Sequence, residues 1–131
     1  EPDIKRRMWT KLMMNVGVNQ TCMVYGGTYG SVTERGSEQR RSLVAAMREA
    51  RVVANAEGVA IAEADLSQMV ELLETLDPAG MPSMAQDRIA RRKTEVEEFS
   101  GTICRLAAEH GIEVPQNEWL YQRIREIEAS W

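Results

Sequence analysis

From Met8 to Thr33 the chain carries a single charged side chain, Lys11, while Trp9, Leu12, Met13, Met14, Val16, Val18 and Met23 fill most directions around a helix axis. A helix that is apolar nearly all round is normally buried. The pattern predicts a core helix that opens near Pro2 or Asp3, residues suited to a first turn, runs to about Tyr25 and ends at Gly26-Gly27. Lys11, Asn15 and Asn19 interrupt its apolar surface at steps of four. Each step advances about 40° around the axis, so the three share one narrow face and climb roughly 12 Å along it. Burying an ammonium and two amides is costly unless other groups satisfy them. Helix chemistry alone leaves two readings open: a satisfied core network, or a face along which a ligand lies.

The remaining pattern is helical as well. Residues 28–36 read as a glycine-containing connection, after which Ser37 or Glu38 opens an amphipathic helix through Leu43, Met47, Val52 and Val53 to Ala56, closed by Gly58. Asp65 suits the N-cap of a third helix over 66–76, with Met69, Val70, Leu72 and Leu73 apolar, and Asp77-Pro78-Ala79-Gly80 stops it. Ser83 with Gln86, and Thr94 with Glu97, match the capping box and predict two further helix starts. The second of these helices places Val96, Phe99, Ile103, Leu106 and Ala107 on one face and ends at His110-Gly111. Pro115 and Asn117 introduce a last helix with Trp119, Leu120, Ile124 and Ile127 turned inward. No segment alternates apolar and polar residues long enough for a strand. The expected fold is all-α, with six or seven helices.

Composition narrows the function. The 131 residues suit one domain, and 44% hydrophobic content supplies a core. Twenty acidic against sixteen basic residues, a net charge of −4 and no basic block argue against nucleic acid as a partner; the tract 35–41 holds three arginines but also Glu38. The segment 12–33 has too many Asn, Gln, Thr and Gly to span a bilayer, so no membrane is expected. Cys22 and Cys104 are isolated, which suits a reducing, cytoplasmic setting better than a disulfide scaffold. His110 is the lone histidine, so no metal site is expected. The run Tyr25-Gly26-Gly27-Thr28-Tyr29-Gly30 follows a helix rather than a strand and lacks the G-x-G-x-x-G spacing; it reads as a helix terminator and turn. The chain starts at Glu1 without a methionine and reads as a fragment.

Three collinear blocks carry a resemblance. Trp9-Thr10-Lys11-Leu12-Met13-Met14-Asn15-Val16-Gly17-Val18-Asn19 resembles the K-L-x-x-N-x-x-x-N helix that opens the C-terminal domain of the ketopantoate reductases. Ser83-Met84-Ala85-Gln86-Asp87, Arg92 and Thr94-Glu95-Val96-Glu97 resemble that family's S-M-x-Q-D and R-x-T-E-[IV]-[DE]. His110-Gly111-Ile112, Pro115, Asn117, Leu120-Tyr121 and Glu128 resemble its closing H-G-I-x-x-P-x-N-x-x-L-Y stretch. The resemblance implies that 1–131 is the helical, substrate-binding and catalytic domain, similar to that of 6-phosphogluconate dehydrogenase, with the N-terminal Rossmann domain that binds NADPH absent from the chain.

It further implies hydride transfer from NADPH to a 2-oxo acid, with ketopantoate reduced to pantoate for pantothenate biosynthesis. Lys11 then matches the family's general acid, Glu95 its active-site glutamate, and Asn15, Asn19 and Ser83 its substrate-binding side chains. A developing alkoxide needs a proton and hydrogen-bond donors, and desolvation in a half-buried cleft would make Lys11 a better proton donor. Ser83 has a capping role available beside this one, Glu95 suits the dipole of a first helical turn, and Glu97 is assigned to the capping box alone. Two departures bear on substrate. Gly80-Met81-Pro82 stands where pantoate-forming members commonly carry an asparagine and a serine, and Asn19-Gln20 replaces a common N-P, as in relatives that reduce branched 2-oxo acids. The alternatives are such a branched-chain reductase and a non-catalytic helical interaction module. The expected partners are the 2-oxo acid, the chain's own Rossmann domain and, through surface left open, a second copy. All five side chains are expected to converge on one accessible concavity.

Overall fold

The architecture comes from a computed structural model that describes residues 2–131, with side chains from Ile4 onward. The elements are α1 (Pro2–Met14), π1 (Asn15–Asn19), α2 (Gln20–Tyr25), α3 (Tyr29–Thr33), α4 (Glu38–Ala56), α5 (Glu63–Glu74), α6 (Ser83–Ala90), π2 (Glu97–Gly101), α7 (Thr102–His110) and α8 (Pro115–Ala129). Because α1, π1 and α2 run on without a break, as do π2 and α7, the described residues form seven helical rods and no strand. The all-α expectation and the helix count are met.

Helix α4 is the axis of the bundle. Leu43, Ala46, Met47, Ala50, Val53 and Ala54 on its inner face are completely buried. The three alanines at four-residue spacing let neighbouring helices approach closely. It packs against α1, π1, α2, α3, α5, α7 and α8. Gly17 marks the tightest approach: a Cβ there would lie 2.5 Å from Met47 Cγ and 3.0 Å from Leu43 Cδ1. Only a residue without a side chain lets π1 sit this close to α4. Val52 and Leu72, read from the sequence as apolar positions of their helices, are exposed, and so is Trp119, which turns outward beside Tyr25 with ring centroids 6.0 Å apart.

Polar side chains knit the core. A π turn leaves the ordinary i→i−4 ladder locally unmade. At π1 the Gln20 side chain, fully buried, donates from Nε2 to the Val16 carbonyl at 2.8 Å. Its Oε1 accepts the Ser100 backbone N–H in π2 at 3.0 Å. Ser100 Oγ donates to Asn117 Oδ1 on α8 at 3.2 Å, and Asn117 Nδ2 donates to Ala46 O and Glu49 Oε1 on α4. One buried chain of hydrogen bonds thus links both π turns, α8 and the axial helix.

Several local expectations are corrected, some by local capping the pattern did not reveal and some by partners distant in sequence. Residues 28–36 contain the short helix α3, opened by a capping box between Thr28 and Ser31. Helix α5 starts three residues earlier than read, and Asp65 sits in its first turn, where Oδ2 accepts the Ala62 N–H at 2.7 Å. That amide and then the Arg6 guanidinium hold the Asp65 carboxyl below its ordinary range. Ser83 is the first residue of α6 rather than its cap, because Pro82 occupies the N-cap. Thr94 does not cap π2 either: its hydroxyl donates to Glu128 Oε2 on α8 at 2.6 Å, and Glu97 accepts from Tyr121 and Arg125 instead. The Gly26 terminator is as read, left-handed with φ 64°.

Gly17→Ala should therefore destabilise the domain by about 1–3 kcal/mol through overpacking against Met47 and Leu43, read as a lower urea midpoint with an unchanged denaturant slope.

Candidate active site

Three of the five side chains picked out by the sequence form one hydrogen-bonded chain. Asn15 opens π1 and Asn19 closes it; Asn19 Nδ2 donates to Asn15 Oδ1 at 2.8 Å. Asn19 Oδ1 accepts both Ser83 Oγ at 3.2 Å and the Met84 backbone N–H at 3.1 Å. Because Pro82 has no side-chain donor or acceptor for the task, Asn19 caps α6 from the neighbouring helix. At its other end α6 is tied to the same rod: Arg88 Nη1 donates to the Met23 and Val24 carbonyls of α2 at 2.6 and 2.7 Å. Sequence reasoning missed Arg88, and nothing local to it signals the role. These two attachments hold Ser83 against the asparagine pair.

The polar ladder is graded rather than buried throughout. Asn19 is 8% exposed and Asn15 half-buried, but Lys11 is exposed, which corrects the expectation that the whole ladder lies inside the molecule. Lys11 stands in the last turn of α1 and has no hydrogen bond or ion pair among the described residues. It lines an open groove of about 700 Å³ between α1 and α5, with Thr10, Met14, Gln68 and Leu72. Its apolar surroundings on the helix are satisfied by the core on the other side, so the ammonium emerges into solvent.

Glu95 is exposed, in the bend just before π2. Its carbonyl accepts the Glu98 and Phe99 amides. Its carboxylate makes no hydrogen bond or ion pair with the other four residues. Buried Val96 and the Gln20–Ser100 bond anchor this bend to π1, against which π2 packs.

The hydrogen-bond inventory defines what the arrangement can offer. Asn19 uses its acceptor twice and one of its donors, so it is a fixture. Asn15 keeps both N–H groups of Nδ2 for another partner, and Lys11 keeps all three donors. Ser83, with its hydrogen directed at Asn19, presents oxygen lone pairs. Of the five side chains expected on one concavity, only Lys11 lines this groove; its ammonium and the free Asn15 amide donors suit a ligand rich in anionic or carbonyl oxygen.

Other chemistry finds less support. No group of His, Cys, Asp and Glu that could hold a metal ion occurs among the described residues; His110 pairs with Glu57. Burial pushes the Cys22 thiol up to about 12 and Cys104 to about 11, so neither is a ready nucleophile. No described helix is long and apolar enough to cross a membrane. Gln20, read from the sequence as a hint of substrate preference, is buried at 0% exposure and serves the fold.

Comparison with known proteins places the chain in a family. Residues 3–128 match the family described as ketopantoate reductase PanE/ApbA C terminal. The 2-dehydropantoate 2-reductase of Vibrio cholerae is 30% identical over 130 residues, which are 99% of this chain and 43% of that protein. The 2-dehydropantoate 2-reductase of Salmonella typhimurium is 27% identical, over 98% of this chain and 41% of that one. Among solved structures, a dimeric ketopantoate reductase from Staphylococcus aureus superposes with a TM-score of 0.89 at 25% identity, covering 99% of this chain and 45% of that chain. A D-mandelate dehydrogenase with NADH and anilino(oxo)acetate superposes at 0.85 with 22% identity, over 99% of this chain and 54% of that one, a likeness of fold alone. The fold is that of the solved ketopantoate reductases over the part this chain covers. The chain belongs to the ketopantoate reductase C-terminal family, and it spans less than half the length of the curated relatives it matches.

Removing the two ends of the Asn19–Ser83 bond should have unequal effects. Ser83→Ala leaves Met84 capped and should cost at most about 1 kcal/mol. Asn19→Ala exposes no partner for the Met84 N–H and should cost about 1–3 kcal/mol. Urea denaturation of both variants checks the order.

Proposed function

We propose that this chain is the substrate-binding and proton-donating part of an NADPH-dependent reductase that converts a 2-oxo acid, in the first instance ketopantoate, to the 2-hydroxy acid. The observation that carries the reading is the unpaired Lys11 ammonium, which lines an open groove, four residues along the same helical rod from Asn15, whose Nδ2 donors are free. Membership of the ketopantoate reductase family supports the choice of substrate class.

When bound, NADPH supplies the hydride that reduces the carbonyl carbon. The chain's residues have the complementary tasks. Asn15 Nδ2 donates to substrate oxygen, held in place by Asn19, while Ser83 accepts from the substrate's own donor or borders it. Lys11 Nζ gives a proton to the carbonyl oxygen as negative charge develops there. Glu95 hydrogen-bonds and orients the substrate from the π2 side. The cofactor itself needs a second domain: the glycine run after α2 is a helix terminator and no phosphate cradle. A Rossmann domain closing over the groove would meet that need and would desolvate Lys11, which this domain leaves exposed. Two copies forming a homodimer, and a reducing cytoplasmic setting for the two free thiols, complete the proposal. The alternative of a non-catalytic helical module rested on Lys11 as a buried charge, and its exposure removes that ground.

In the full-length protein containing this chain, Lys11→Met should lower kcat for ketopantoate reduction by about 10²–10⁴-fold. Stability should stay within about 0.5 kcal/mol, because Lys11 is an exposed residue with no partner. NADPH oxidation and a thermal melt on the same sample make the test; unaltered turnover would remove Lys11 from the mechanism.

A further inference from the structure

Gln20 lies next to the candidate site in sequence and wholly beneath it in space. Its side chain is 0% exposed and touches no ligand-accessible surface. Both halves of its amide are engaged, on two different π turns: Nε2 on Val16 O within π1 at 2.8 Å, Oε1 on Ser100 N within π2 at 3.0 Å. The first bond sits between Asn15 and Asn19 on their own turn. The second ties down π2, directly after the bend that carries Glu95. π turns cluster at functional positions because the extra residue re-aims side chains. Here Asn15 and Asn19 bond at 2.8 Å across the π turn, and a single amide bonds that turn and the second one.

We infer that Gln20 is a positioning residue: through the Val16 carbonyl and the Ser100 amide it fixes the Asn15–Asn19 pair and the Glu95 bend relative to each other, and so sets the affinity for the 2-oxo acid. The inference rests on the proposed reductase reading for its kinetic consequence and on the two hydrogen bonds for its structural one. Among the described residues no other side chain hydrogen-bonds to the backbone of both π turns. Lys11 precedes π1 on the regular turns of α1, so loss of the Gln20 link leaves the proton donor in place. Binding contacts made equally in ground and transition state appear in KM, with kcat unchanged.

The test uses the full-length protein and three variants. Gln20→Met keeps the volume and removes both hydrogen bonds. Gln20→Glu keeps the acceptor for Ser100 and removes the donor to Val16. Thr21→Val changes the adjacent buried residue, whose hydroxyl has no partner among the described residues, and serves as the control. The expected result is a KM for ketopantoate raised about tenfold or more in both Gln20 variants. Their KM for NADPH and their kcat should stay within about twofold, and Thr21→Val should resemble the parent. A role confined to folding would instead lower the active fraction, reducing apparent kcat with both KM values unchanged, and that outcome overturns the inference. If the parent protein turns over neither ketopantoate nor 2-oxoisovalerate, the reductase reading fails by itself. The positioning claim is then decided by the side-chain amide NMR signals of Asn15 and Asn19, which must move in both Gln20 variants and stay put in Thr21→Val.

Discussion

A primary amide has two acceptor lone pairs and two donors in one rigid plane, and at position 20 that plane spans the gap between two irregular turns. The first rod becomes irregular where α4 presses against Gly17, with Val16 and Val18 in the core and Asn15 and Asn19 at its edge. At this π turn the carbonyl of buried Val16 takes a side-chain donor. An unmet backbone carbonyl there would be expensive. Gln20 meets it from within the same rod and uses its remaining oxygen on the other π turn, so the two defects in the helical ladder satisfy each other through one side chain.

The same economy governs how the later helices begin. Neither α6 nor α8 has a side-chain cap of its own, since Pro82 and Val114 occupy the N-caps. Both are capped from a distance: α6 by Asn19, and α8 by Glu49, whose two oxygens accept the Gln116 and Asn117 amides at 2.9 and 2.8 Å. A helix capped by another helix gains that cap only when the two are docked, so its start and its packing are coupled. For α6 the cap is also the residue that hydrogen-bonds Ser83 and Asn15.

What the sequence revealed and what it concealed divide along this line. The rods were legible because an apolar stripe with period near 3.6 survives small changes of turn, and the terminating Gly26 and Gly111 need a left-handed backbone that few other residues adopt. The Asn15–Asn19 contact was legible because four-residue spacing brings side chains together on either kind of turn. The π turns themselves were not, since the contacts around them, such as Met47 and Leu43 against Gly17, come from another helix. Capping boxes misled at Ser83 and Thr94 because partners far along the chain, Asn19 and Glu128, outcompeted local ones. Lys11 was misjudged for a related reason: the residues flanking it are apolar, but their burial is on the α4 side of the rod, and a sequence window records composition without direction.

That misjudgement matters for chemistry. A solvated ammonium is a weak electrostatic partner for a developing alkoxide, because water competes for both and the effective dielectric is high. The same ammonium becomes far more effective once water is excluded and its donors are pre-aimed. On the reductase reading, the groups proposed to hold the geometry, Asn19 and Ser83, are locked by internal hydrogen bonds, whereas Lys11, the Nδ2 donors of Asn15 and the Glu95 carboxylate, proposed to meet substrate, have no internal partners among the described residues. A protein core would not tolerate such loose donors, and an ordinary surface would have no need of the locked ones beneath. On the reductase reading the pattern is that of one wall of a cleft. The binding geometry is built in before any partner arrives, and the low-dielectric environment is left for the opposing wall to supply when it closes.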